Sequence, residues 1–371
     1  MSVKDGNIRI IISGGGTGGH LFPAIAIANA LRRLEPPAEI LFVGADGRME
    51  MQKVPEAGYD ITGLPVAGLV RGVSARNIHV VWRLFRSMLK AGKIIKRFRP
   101  DVVVGVGGYA SGPVLKQAQR RGIPTVIQEQ NSYAGVTNKL LAKRADRICV
   151  AYEGMEKYFP AAKIMLTGNP VRQAYDNHEA LRAEAMEHFR LKPGMPVILV
   201  LGGSLGAGTV NGSVGGGIGL VEASGVQMIW QTGSHWYDRM RELAEEKAVT
   251  RIVVTGFINR MDLAYAVADV IISRAGAGTI SELALVGKPV ILVPSPNVAE
   301  DHQTHNAMAL VNREAAILVK DAEAEKELIT TALALVNDTA KRNALSENIR
   351  RMAIKNADEV IAREVLKLAK R

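Results

Sequence analysis

The sequence has very little cysteine, few aromatic residues and no long apolar run. Its one cysteine, Cys149, lies in an apolar stretch without a partner for a disulfide or a metal cluster, which is typical of strand packing in a reducing compartment. Residues 1–7 lack the apolar run of a signal peptide, and no later stretch approaches the ~18 to 20 apolar residues that span a bilayer. The chain is therefore expected to stay in the cytosol or to lie on a membrane surface.

Several motifs with a defined chemistry are missing as well. There is no Asp-x-Asp, no His-Glu-x-x-His, no cysteine cluster and no P-loop, so the sequence predicts neither a tightly held divalent metal nor another cofactor. What is present is an apolar fraction of 47% with 37 glycines, which fits a globular α/β protein. A length of 371 residues predicts two domains.

Acidic residues are scarce in the first half of the chain. Residues 1–168 contain 24 Lys+Arg against 12 Asp+Glu, a net charge of +12, whereas residues 169–371 contain 23 against 24, a net charge of −1. Such asymmetry indicates a polyanionic partner for the first half, either nucleic acid or an anionic lipid surface.

Residues 71–99 concentrate this charge, with nine Lys+Arg and no acidic residue. A buried amphipathic helix would explain the apolar residues at near-helical spacing, which are Leu84, Met88, Ile95 and Phe98. It would not explain the missing acids. Basic side chains beside exposed aromatic ones are typical of a surface on anionic lipid headgroups, and no nucleic-acid motif accompanies the charge. We therefore predict no nucleic-acid partner and a membrane patch of Trp82, Arg83, Phe85, Arg86, Leu89 and Lys90.

Apolar runs of strand length alternate with helical patterns in both halves, which predicts two parallel sheets with right-handed crossovers. The predicted strands are 8–13, 40–43, 102–106, 125–128, 147–150, 197–201, 227–231, 252–255, 270–273 and 290–293. Because each half opens with a strand that enters a glycine-rich turn, we predict two Rossmann-like domains facing across a cleft. The expected domains are residues 1–168 and 169–351, with a last helix of about 352–371 packed back on the first.

The first glycine-rich turn, residues 14–19, matches G-x-G-x-x-G through Gly14, Gly16 and Gly19. With Asp46 after the second strand, this pattern permits a nicotinamide-dependent oxidoreductase, but glycine amides serve any phosphate or sugar ligand, and a plain tight turn is a further alternative. His20 directly follows the turn and begins a predicted helix. It is a candidate general base, or a helix-start residue with no chemical role.

In the second half, residues 274–282 follow a strand and open a helix. A helix N-terminus binds phosphate through its amides, and Glu282 can accept hydrogen bonds from ribose hydroxyls or only favour the helix dipole. Polar residues also end other strands, at 105–113, 128–131 and 294–306. Polar strand ends are often ordinary caps, but several that converge on one edge favour a ligand site.

Taken together, these motifs resemble the MurG family, the bacterial UDP-N-acetylglucosamine transferases of lipid II synthesis, over nearly the whole chain. The motifs that carry the resemblance are residues 14–20 with Pro23, 107–113, 129–131, 137–139, 168–172, 202–204 and 274–282. The family has two Rossmann-like domains of the GT-B type. One departure is Gln128, where the family often has histidine.

The resemblance implies roles for individual residues. His20 would be the general base, with Glu129 and Tyr109 in the same acceptor cleft. Substrate-binding residues would be Arg172, Ser204, Ile258, Ala277, Gly278, Thr279, Ile280, Ser281 and Glu282 for UDP, and Thr17, Gly18, Gly19, Asn131 and Gln303 for the transferred sugar. Residues 71–99 would correspond to the family's membrane patch.

The implied reaction is an inverting transfer of N-acetylglucosamine from UDP to the 4-hydroxyl of a lipid-linked muramoyl pentapeptide at the cytoplasmic face of the cell membrane. The implied partners are UDP-N-acetylglucosamine, that lipid acceptor, an anionic membrane and other enzymes of cell-wall synthesis. The alternatives are a UDP-N-acetylglucosamine 2-epimerase, another glycolipid synthase, the oxidoreductase and a noncatalytic nucleotide-sugar scaffold.

Overall fold

The computed structural model describes residues 7–35, 37–66, 76–171, 180–203 and 205–371. These residues form two compact units. The first contains the described residues up to 171 together with 356–371, and the second contains those from 180 to 355. Among the described residues, no helix combines the length and the apolar composition needed to cross a membrane.

The first unit is a seven-stranded parallel sheet in the order β3-β2-β1-β4-β5-β6-β7. Its strands are β1 (Arg9–Ser13), β2 (Glu39–Ala45), β3 (Asp60–Leu64), β4 (Val102–Gly105), β5 (Thr125–Glu129), β6 (Arg147–Val150) and β7 (Ile164–Leu166). Its helices are α1 (Gly18–Leu34), α2 (Glu50–Glu56), α3 (Arg76–Phe98), α4 (Ser111–Arg120) and α5 (Val136–Ala142). Helices cover both faces, so the central strands β1 and β4 are wholly buried beyond Arg9.

The second unit is a six-stranded parallel sheet in the order β10-β9-β8-β11-β12-β13. Its strands are β8 (Val197–Leu201), β9 (Gln227–Gln231), β10 (Ile252–Thr255), β11 (Val270–Ser273), β12 (Val290–Leu292) and β13 (Ile317–Leu318). Its helices are α6 (Arg182–His188), α7 (Gly208–Gly216), α8 (Ile218–Ala223), α9 (Tyr237–Glu246), α10 (Met261–Val267), α11 (Ala277–Val286), α12 (His302–Val311), α13 (Ala324–Asn337) and α14 (Thr339–Arg351).

The predicted parallel α/β class and all ten predicted strands are confirmed, with shifts of one or two residues at their ends. Three strands were not predicted: β3, β7 and β13. All three lie at sheet edges: β3 is interrupted by polar residues, and β7 and β13 have only three and two residues, which is shorter than the apolar runs from which the other strands were predicted.

The last helix of the chain, α15 (Ala357–Ala369), packs against α1 in the first unit. Its buried face, which includes Ile361 and Val365, joins the core on one side of the first sheet. Ion pairs surround this contact. Arg147 donates to Glu364 over 2.8 Å, and the Glu364 side chain is only 7% exposed.

We expect Glu364→Ala to lower the free energy of unfolding by about 2 kcal/mol, because it leaves the half-buried Arg147 guanidinium without its partner. The matched control is Glu359→Ala on the exposed side of α15, where Glu359 pairs with Arg363 one turn away. That change is expected to cost less than about 0.5 kcal/mol. Urea unfolding followed by circular dichroism measures both, and equal effects would contradict the assignment.

Candidate active site

The first glycine turn lies between β1 and α1 and is pressed against the turn that follows β4. Gly15 and Gly16 have φ angles of 138° and 86°, which glycine adopts without strain. A Cβ atom on Gly108 would lie 2.3 Å from the Gly15 carbonyl oxygen. The two turns therefore contact each other backbone to backbone, and this contact requires glycine at position 108.

His20 is fixed at this junction. Helix α1 begins at Gly18, two residues earlier than predicted, with Thr17 as its extended N-cap residue. The Thr17 Oγ1 and His20 Nδ1 atoms are 3.1 Å apart, and a Cβ on Gly107 would lie 2.8 Å from both Cδ2 and Nε2 of the imidazole. Thr17 thus holds one ring nitrogen while Gly107 leaves room for the other side of the ring.

The neighbouring candidates at this edge are accessible. Thr17 and Gly19 are exposed, and Gly18 and His20 are partly exposed. Tyr109, in the turn after β4, has 57% of its surface exposed. The structure therefore brings Thr17, His20 and Tyr109 to the carboxyl ends of the adjacent strands β1 and β4.

Glu129 has a different environment. It is 2% exposed, and its two carboxylate oxygens accept hydrogen bonds from the backbone amides of Asn131 and Gly135 and from the Asn131 and Asn138 side chains. Burial raises the pKa of the Glu129 carboxyl, and these donors oppose the rise. Such a saturated carboxylate stabilises the turn from 129 to 138 and sets the position of Asn131.

Gln128 is fully buried and is part of a chain of amide hydrogen bonds. Its Nε2 donates to Asn169 Oδ1 over 3.0 Å, and Asn169 Nδ2 donates to the Gln130 carbonyl over 3.0 Å. The Gln130 amide in turn donates to Gln128 Oε1 and to the Val106 carbonyl. The side chain that replaces the family's frequent histidine therefore links strand ends inside the protein.

In the second unit, the glycine turn after β8 interlocks with the turn after β9. A Cβ on Gly206 would lie 2.4 Å from the Thr232 carbonyl oxygen and 2.5 Å from the Trp236 ring, so this turn also depends on glycine. Leu205 is 65% exposed at its tip. Two predicted UDP-binding residues, Arg172 and Ser204, lie outside the described residues.

The predicted nucleotide motif forms the first turns of α11. Gly276 is its extended N-cap residue, and a Cβ on Gly278 would have no atom within 4 Å, so the helix start is open. Ala277 and Ile280 are buried, whereas Gly278, Thr279, Ser281 and Glu282 are partly exposed. Ala277 and Ile280 can therefore present mainly backbone to a ligand, and the other four can present both backbone and side chain.

Arg274 precedes this helix but does not extend along it. Its guanidinium donates to the Val293 and Pro294 carbonyls and pairs with Asp321. It therefore fastens the loop after β12, in which the Ser295 amide donates to Oε1 of Gln303 on α12 over 2.9 Å. The predicted Ile258 is 4% exposed, which leaves its backbone and packing as the available contacts.

The predicted membrane patch lies along α3. All six of its members are exposed, and the apolar ones strongly so: Trp82 56%, Phe85 61% and Leu89 53%. Leu84, one of the four residues at near-helical spacing, is 49% exposed, and the buried face of α3 contains Ser87, Ala91 and Ile95. Residues 71–75 and the side chains of 76–81 lie outside the described part of the chain.

Two residues of the site were missed by sequence reasoning. Asp321 anchors Arg274, and Glu50 accepts a hydrogen bond from the first glycine turn. The acid expected to matter near that turn was Asp46, which instead packs on Gly63 and lies 4.0 Å from Lys90. A carboxylate five residues after the end of β2 was the available signal for Glu50.

Comparisons with known proteins identify glycosyltransferase relatives over both halves of the chain. Residues 10–150 match the glycosyltransferase family 28 N-terminal domain, and residues 197–363 match the glycosyltransferase family 28 C-terminal domain. A Bacteroides fragilis protein named "UDP-N-acetylglucosamine--N-acetylmuramyl-(pentapeptide) pyrophosphoryl-undecaprenol N-acetylglucosamine transferase" is 58% identical over 98% of this chain and 96% of its own length.

Solved structures of other proteins resemble this chain over nearly its whole length. MurG of Acinetobacter baumannii matches with a TM-score of 0.80 and 27% identity over 97% of this chain and 99% of that one. A Neisseria meningitidis UDP-GlcNAc 2-epimerase matches with a TM-score of 0.65 but 14% identity over 97% and 100%, which shows likeness of fold alone. The chain therefore has the GT-B fold and belongs to the MurG family within glycosyltransferase family 28.

Proposed function

We propose that this enzyme transfers N-acetylglucosamine from UDP-N-acetylglucosamine to the 4-hydroxyl of a lipid-linked muramoyl pentapeptide, with inversion at the anomeric carbon. The 58% identity to a transferase named for that reaction supports the substrates. The observation that carries the chemistry is His20, whose ring is oriented by Thr17 and Gly107 at an accessible strand edge.

The acceptor half of the reaction is assigned to the first unit. His20 removes the proton of the attacking hydroxyl, because histidine exchanges a proton near neutral pH and this one has a fixed ring orientation. Thr17, Gly18, Gly19 and Asn131 bind the transferred sugar, and the exposed Tyr109 contacts the acceptor. Glu129 is the weaker candidate for the base, since both its oxygens already accept hydrogen bonds.

The donor half is assigned to the second unit. Negative charge grows on the diphosphate as the sugar leaves, and the open N-terminus of α11 offers amides and the positive end of its dipole to that charge. Glu282 accepts hydrogen bonds from the ribose hydroxyls, Ile258 packs against uracil, and Gln303 binds the sugar. Arg172 and Ser204 are proposed to bind the diphosphate.

Transfer is tested by incubating the purified chain with radiolabelled UDP-N-acetylglucosamine and the lipid-linked muramoyl pentapeptide, followed by chromatography of the lipid fraction. The proposal requires label to enter the lipid only when the acceptor is present. Conversion of the donor to its 2-epimer without lipid labelling, or binding of UDP without any turnover, would overturn it.

For the base, we expect His20→Ala to lower turnover at saturating substrates by about 100-fold or more, because proton removal is lost while binding groups remain. His188→Ala, at an exposed position on α6, is the matched control and should leave turnover unchanged. Tyr109→Phe separates the two candidates. Near-normal turnover in His20→Ala together with a large loss in Tyr109→Phe would indicate that Tyr109, and not His20, is the general base.

We further propose that α3 holds the enzyme on the cytoplasmic surface of the cell membrane, next to its lipid acceptor. Exposed Trp82 and Phe85 would enter the interface between headgroups and acyl chains, and Arg83, Arg86 and Lys90 would attract anionic headgroups. Arg86 already lies over the Trp82 ring at 4.7 Å, so the apolar and basic groups form one surface. Other cell-wall enzymes are proposed as partners at the same membrane.

Two paired variants are expected to separate these contributions in sedimentation with phosphatidylglycerol vesicles. Trp82→Ser with Phe85→Ser should weaken binding at low and high salt, because apolar burial is insensitive to screening. Arg83→Ser with Arg86→Ser should weaken it about tenfold or more at low salt and little at high salt. Leu220→Ser, 53% exposed on the second unit, is the control. Unchanged sedimentation of both pairs would contradict the assignment.

A further inference from the structure

Glu50 is a wholly buried carboxylate directly beneath the first glycine turn. It is the first residue of α2, and none of its surface is exposed. Its Oε1 and Oε2 atoms accept the Gly16 amide over 3.0 and 3.1 Å, and Oε1 also accepts the Ala45 amide over 3.0 Å. One side chain thus joins the ends of β1 and β2, across 34 residues of sequence.

The surrounding backbone is shaped to admit this carboxylate. A Cβ on Gly15 would lie 2.2 Å from Glu50 Oε1, and a Cβ on Gly44 would lie 2.6 Å from Glu50 Cγ. Two glycines from different strand ends are therefore required by one side chain. Burying a carboxylate costs free energy even when it is hydrogen-bonded, so stability alone is a weak reason for its presence.

Packing of α2 does not require the charge. Val54 is fully buried in the core of the first unit and already anchors this short helix. The Glu50 oxygens instead accept the N–H of the Gly15–Gly16 peptide, and the next residue is Thr17, the N-cap of α1 and the partner of His20 Nδ1. A hydrogen bond from an amide to an ionised oxygen is stronger than one between neutral groups, so this contact holds the turn firmly.

We infer that Glu50 is a positioning residue for the transfer reaction: it fixes the Gly15–Gly16 peptide so that Thr17 and His20 keep the orientation needed for proton removal. This inference rests on the proposed function. It also means that the Gly16 amide is committed to a carboxylate, so the first glycine turn does not offer that amide to a phosphate. The turn instead presents Thr17 and the start of α1 to sugar hydroxyls.

Glu50→Gln tests the inference with almost no change in shape. Because both oxygens accept the Gly16 amide, the glutamine NH2 group would face that N–H as donor against donor, and the turn must shift. A displacement of about 1 Å at reacting groups costs on the order of 100-fold, so we expect turnover per folded molecule to fall 10- to 100-fold. Binding of UDP alone, which uses the second unit, should change less than about twofold.

A double-mutant cycle with His20→Ala separates positioning from general weakening. If Glu50 acts through His20, adding Glu50→Gln to His20→Ala should cost much less than it costs the wild type. Two results would overturn the inference. One is an equal loss of turnover from Glu50→Gln in the wild-type and His20→Ala backgrounds. The other is normal turnover of the Glu50→Gln variant when the wild-type enzyme transfers sugar. A wild type without transfer would instead overturn the proposed function.

Two further variants guard against misreading a folding defect. Glu56→Gln makes the same chemical change on the exposed side of α2 and should leave turnover unchanged. If Glu50→Gln does not fold, Glu50→Asp keeps the charge but withdraws it by one methylene group. We then expect an intermediate loss of turnover that largely disappears in the His20→Ala background, and persistence of the full loss there would reject the inference.

Discussion

Parallel strands buried on both faces restrict where polar chemistry can occur in this protein. In β4 and β8 every residue is buried, so a polar side chain there would be cut off from water and from ligands. Backbone amides and polar side chains become available only beyond the carboxyl ends of the strands. His20 follows β1, Tyr109 follows β4, the start of α11 follows β11 and Gln303 follows β12, so each of these proposed roles depends on this one constraint.

Burial of strands on both faces also explains which parts of the fold could be predicted from the sequence. Strands with helices on both faces are continuous runs of aliphatic residues, and all of them were predicted within one or two residues. Edge strands carry no such requirement. In β3, Asp60 and Thr62 interrupt the apolar residues, so its composition resembles that of a loop, and β13 has only two residues, so it is too short to be recognised as a strand. Pairing with a neighbouring strand creates these elements, and a single sequence does not display that pairing.

Within the site, the sequence predicts which polar side chains follow a strand, but it does not predict which way each side chain points. Glu129 and His20 both follow a strand, yet Glu129 is enclosed by four donors while His20 is accessible, because the chain from 131 to 138 folds back over Glu129. Asp46 and Glu50 lie four residues apart, and only the one that points under the glycine turn contacts it. Hydrogen-bond partners far along the chain decide these differences, and spacing within a motif does not contain them.

The contacts of Arg274 determine how much positive charge it can offer to a ligand. A motif that begins with arginine at a strand end suggests a cation for the departing diphosphate. In this protein, however, the guanidinium donates to two backbone carbonyls and forms an ion pair with Asp321, which neutralises its charge. The pair therefore contributes shape, by holding the loop that contacts Gln303, more than it contributes positive potential. In the proposed reaction, a larger share of diphosphate stabilisation then falls to the fixed amides at the start of α11 and to Arg172. Because such amides are oriented by the helix before the reaction begins, they need no rearrangement as charge develops.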